Sequence, residues 1–106
     1  MRKSPEDPGV GLQALGQAIT TARQRQAMSR EKLARASELD VELLEAFETG
    51  RRQPGLSHLF RIALALEEHP ERLFETARDN HAVARLMGHA DVLFDLYKAV
   101  RRERAS

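Results

Sequence analysis

Between Ser29 and Gly50 the chain reads SREKLARASELDVELLEAFETG, and this stretch restricts the possible folds more than any other. Ser29 is a good N-cap, and Leu33 and Ala34 share the inner face of the short helix it would open. The segment ASELD interrupts that helix, and Asp40 offers a second N-cap. The helix that follows stops at Gly50, which suits a left-handed residue just past a helix end. Upstream, Leu12, Leu15, Ile19 and Ala22 recur at three- and four-residue steps and predict a longer helix ending near Gln26. Downstream, RRQPG reads as a loop, because Pro54 pushes Gln53 away from helical geometry. A fourth helix is expected from Leu56 to Leu66, and Pro70 fits the first turn of a short fifth one ending near Phe74.

Composition narrows the class. The chain has 106 residues, about the size of one domain, with no Trp and one Tyr, so its core must be aliphatic with a few Phe. Abundant Ala and Leu and the lack of strand-like alternation favour an all-α fold. The absence of cysteine excludes disulfides, thiolate metal sites and a cysteine nucleophile. His58, His69, His81 and His89 never fall four apart, so no metal or cofactor is expected, and no carboxylate pattern suggests an enzyme. No apolar run reaches signal-peptide or membrane-span length, which makes a soluble, cytoplasmic protein the expectation. Net charge is only +1, and the first 74 residues hold eleven basic against eleven acidic side chains. Any anion-binding surface must come from local sorting of charge.

Two short helices joined by a four-residue turn under a longer helix have the geometry of a helix-turn-helix. In register with it stand Leu15-Gly16, Ile19, Arg23, Leu33-Ala34, Leu39, Leu44, Glu48-Thr49-Gly50, Arg52-x-Pro54, Leu59-x-x-Ile62-Ala63-x-Ala65-Leu66 and Leu73-Phe74. Over roughly residues 12–74 the chain resembles the lambda-repressor-like, Cro-type (Xre) helix-turn-helix family. The resemblance implies a five-helix DNA-binding domain whose third helix lies in the major groove. By position it assigns Arg30, Val41, Glu42 and Ala46 to base contacts and Arg51 and Arg52 to phosphate, with Arg30 either bidentate to guanine or holding a phosphate. It also implies an ion pair between Arg23 and Glu48. Of the acids on the third helix, Asp40 is expected to cap it and Glu45 to sit at the rim of the groove. Glu42 would reach bases, where a carboxylate can accept from cytosine N4. Glu38 departs from the glycine frequent in the family's turn, and a positive φ there would cost on the order of 1 kcal/mol.

The expected organisation is a flexible arm over residues 1–11, a helix-turn-helix domain over 12–76 and a helical extension over 77–106. In the extension, Val83, Met87, Ala90, Phe94 and Tyr97 step by fours and threes, with Leu86, Leu93 and Val100 alongside. This stripe either completes the chain's own core or pairs with a second copy, and dimerisation is the reading adopted. The function expected is a sequence-specific transcriptional regulator, a repressor on a palindromic operator of double-stranded DNA, acting as a homodimer. The alternative is a protein-interaction module that binds a partner protein such as a toxin, with little DNA binding.

Overall fold

The computed structural model describes residues 8–89 together with Val92, Asp95 and Ala99, with side chains from Gly11 onward. The described residues form helices and connecting turns only: α1 (Pro8–Arg25), α2 (Arg30–Ala36), α3 (Val41–Glu48), α4 (Leu56–Leu66) and α5 (Pro70–Leu73). A 3-10 turn at Glu75–Ala77 leads into a further helix, α6, over residues 81–89. α1 begins at Pro8, before the first apolar residue of its stripe and inside the span 1–11 expected to be an arm. Proline suits a first helical turn, where its missing N–H would have had no partner.

The ends of α1 to α4 share one device. After each, the chain turns through a left-handed residue: Ala27 (φ 53°), Glu38 (φ 58°), Gly50 (φ 73°) and Glu67 (φ 54°). The amides that follow bond back to carbonyls of the last turn, as in Leu39 N to Ala34 O (2.8 Å) and Arg51 N to Ala46 O (2.9 Å). Met28 and Leu39, next after the left-handed residue, then fold onto the core and tie each turn to the helix before it. Glycine occupies this position once; the other three cost on the order of 1 kcal/mol each, offset by the packing of the turn.

The core is built from Leu15 and Ile19 of α1, Leu33 of α2, Leu44 and Phe47 of α3, and Leu59, Ile62 and Leu66 of α4. Leu73 and Phe74 close it below, and Val83 and Leu86 of α6 join the same cluster at 0% exposure. This corrects the expectation that Val83 and Leu86 form a dimer seam. The 3-10 turn brings α6 back against the body, where burying these side chains within the chain removes apolar area from water. Met87 is half-buried against the same cluster, while Ala90, Leu93, Phe94, Tyr97 and Val100 lie outside the described residues.

Two local contacts position the rest. Gly16 lets α1 and the end of α3 approach closely: a Cβ there would stand 2.4 Å from Glu48 O and 2.7 Å from Phe47 O. Asn80, 5% exposed, caps α6 by accepting from Ala82 N (2.9 Å) and Val83 N (3.2 Å). Its amide also pairs reciprocally with that of Gln53, at 2.8 and 3.1 Å, so the start of α6 is joined to the loop after α3.

Candidate nucleic-acid interface

α3 carries its apolar residues Leu44 and Phe47 inward and leaves Val41 and Glu42 exposed. Glu42, Leu43 and Ala46 border a shallow depression with Asp40 and Arg52. Three of the residues assigned to DNA, Glu42, Ala46 and Arg52, therefore line one surface feature, and Val41 stands one residue before it in the first turn. Among the described residues neither Glu42 nor Arg52 has an ion-pair partner.

Asp40 occupies the N-cap position with extended backbone (φ −67°, ψ 141°), yet its carboxylate makes no capping bond. The cap expected from the sequence is thus positional only. At this exposed end water can satisfy the first-turn N–H groups. Ser29, by contrast, caps α2 with its hydroxyl accepting from Lys32 N at 3.0 Å.

Beneath the outer face lies a charged network centred on Glu48, whose side chain is 1% exposed. Arg23 meets it in a fork, Nε to Oε2 at 2.9 Å and Nη2 to Oε1 at 3.0 Å, and donates Nη1 to Met28 O at 3.0 Å. Thr20 Oγ1 donates to Glu48 Oε1 at 3.0 Å. A buried carboxylate satisfied by two side chains of α1 fixes the end of α3 against that helix.

Arg30 also turns inward. Its Nη2 and Nε donate to Glu48 Oε1 at 3.2 and 3.3 Å, and its Nη1 lies 3.7 Å from Glu45 Oε2. The adjacent arginines of the loop diverge: Arg52 borders the depression, whereas Arg51 Nη2 reaches Glu45 Oε1 at 3.3 Å. The sequence offered no signal for these ties of Thr20, Arg30 and Glu45, because they join residues brought together only by the tertiary fold. The Asn80 cap did have one, an Asn directly ahead of an apolar helical run.

His58 completes the support of α3. Its ring packs against Phe47 at 5.1 Å between centroids, and its Nδ1 accepts from Gly55 N at 3.0 Å. Burial first, then the charges of Arg61 and Arg52, hold the imidazole below its usual value of 6.5. Among the described residues no group of three acidic or imidazole side chains could hold a metal, and no helix is long and apolar enough to cross a membrane.

A short helix presented outward, held beneath by a longer one and preceded by a tight turn, is a helix-turn-helix, and together with the two matches that follow it marks a DNA-binding transcriptional regulator. A family model described as helix-turn-helix matches residues 19–73, more than half of the chain, which therefore belongs to the Cro/C1-type, Xre-like helix-turn-helix family. Among solved structures it is similar to the restriction-modification controller protein C.AhdI from Aeromonas hydrophila. The two share 33% identity over 59% of this chain and 96% of that one, with a TM-score of 0.58. No curated protein matches the chain by sequence.

Proposed function

We propose that the protein is a repressor that binds a palindromic operator as a homodimer and blocks promoter access sterically. α3 enters the major groove with Val41, Glu42 and Ala46 toward bases, while Arg51 and Arg52 grip phosphate. Arg30 lies at the edge of this surface and contacts the backbone. The observation that carries this reading is the depression shared by Glu42, Ala46 and Arg52, an outward surface on a helix anchored from beneath. Glu42 accepts from cytosine N4, and Val41 and Ala46 offer apolar contact to thymine methyls. Similarity to a restriction-modification controller supports a regulatory role of that kind.

Such a reading surface has few hydrogen bonds to bases, so a second copy supplies the remaining specificity from a half-site about 34 Å away. With Val83 and Leu86 committed to the chain's own core, the pairing surface falls to Met87 and the apolar sequence positions beyond it, Ala90, Leu93, Phe94, Tyr97 and Val100.

Selection from a random pool of duplex DNA tests the proposal, the expected result being a two-fold symmetric motif. Failure to enrich any motif at low salt would sink it. Arg51→Ala with Arg52→Ala should weaken binding to every sequence and flatten its salt dependence, whereas Glu42→Ala should change preference at one base pair.

A further inference from the structure

Glu45 stands between the two arginines nearest the proposed phosphate path. Its Oε1 lies 3.3 Å from Arg51 Nη2, and its Oε2 lies 3.7 Å from Arg30 Nη1. Each carboxylate oxygen faces one guanidinium, as the two free oxygens of a phosphodiester would. Arg51 is steered into this position, since its Nε donates to Thr49 Oγ1 at 3.0 Å. That hydroxyl in turn donates to Glu45 O at 2.8 Å.

The cluster lies on the solvent side: the side chains of Arg51, Glu45 and Arg30 are 64%, 47% and 32% exposed. Glu48, three residues further along α3, is 1% exposed and holds the fold together. Glu45 has no such structural duty, yet it neutralises cations that the docking needs.

We propose that Glu45 is an internal counter-anion: it occupies the Arg51 guanidinium, and shares that of Arg30, until a DNA phosphate displaces it. The inference rests on the docking proposed above. Separating the pair lowers affinity for every duplex by the same factor, because phosphates carry no sequence information. Non-specific occupancy stays low, and the base contacts of α3 alone distinguish the operator.

The test compares the 106-residue chain with its Glu45→Gln, Arg51→Ala and double variants. Each is titrated with a random-sequence duplex and with the selected operator over a range of salt. Glu45→Gln keeps the size of the side chain and removes its charge. It should tighten binding to both duplexes equally, by about two- to fivefold. It should also steepen the salt slope by up to about one. In the Arg51→Ala background the gain should largely disappear.

If Arg51→Ala weakens binding but Glu45→Gln brings no gain, the counter-anion role falls and the docking stands. If neither substitution changes binding or salt slope, both fall. A changed preference at one base pair, with random-duplex affinity unaltered, would make Glu45 a base reader and overturn the proposal. A gain that persists in full without Arg51 would overturn it as well.

Discussion

α3 and α6 are tied to the rest of the protein differently, α6 at its start and α3 at its finish. α6 is held at its start, where the Asn80 side chain is buried, caps two amides and pairs with Gln53. α3 is held at its finish, where Phe47 and Glu48 are buried and the chain closes through left-handed Gly50. The start of α3 has only an exposed Asp40 that makes no capping bond. The first turn of α6 is thus satisfied within the protein, whereas that of α3 is left to solvent, and it is this open turn that the proposed docking places against DNA.

Breaking the far end of α3 should have the largest effect. Glu48→Ala strands Arg23 and frees Arg30, and should cost about 3–5 kcal/mol by denaturant unfolding. A loss below about 1 kcal/mol would mean that packing alone anchors the helix. Leu86→Ala probes the body side of the contrast and should cost about 2–5 kcal/mol. That loss should be independent of protein concentration; a concentration-dependent one would return Leu86 to a dimer seam.

The caps make the comparison direct. Asn80→Ala should cost about 1–3 kcal/mol, because it removes a cap and the donor to Gln53 Oε1. Asp40→Ala should stay within about 0.5 kcal/mol. Equal losses would erase the distinction between the two helix starts.

The smallest expected effect is on pH dependence. His58 packs on Phe47 and is held below 6.5 in the fold, so the unfolded chain takes up its proton first on acidification. The stability it contributes is full above 6.5 and is lost as pH falls through the lower folded value. His58→Gln should remove that slope from thermal unfolding measured across mildly acidic pH, and an unchanged slope would place its origin elsewhere.

Much of this fold was legible because its signals are local. Apolar steps from Leu12 to Ala22, the Ser29 cap, Gly50 and Pro70 each act within a turn or two of the chain. Residues 25 apart, such as Arg23 and Glu48, entered only through family resemblance. Ala27 and Glu67 sit in left-handed turns that only a glycine would have advertised. The periodicity of Val83 and Leu86 marked them as buried but could not say against what, since apolar burial has no preferred direction. The divergence of Arg51 and Arg52 was illegible for a related reason: two neighbours with the same chemistry were separated by Glu45, a residue six positions before Arg51.

Gly16 never approaches the outer face of α3, yet it governs the stance of that helix. The carbonyls of Phe47 and Glu48 rest where its side chain would be, so even one methyl group must push the last turn of α3 outward. Raising only that end would tip the helix, swinging Val41 and Glu42 toward the protein body. The hydrogen on Gly16 is thus a shim that sets the tilt of α3, and in the proposed docking the angle at which Val41 and Glu42 would meet a groove.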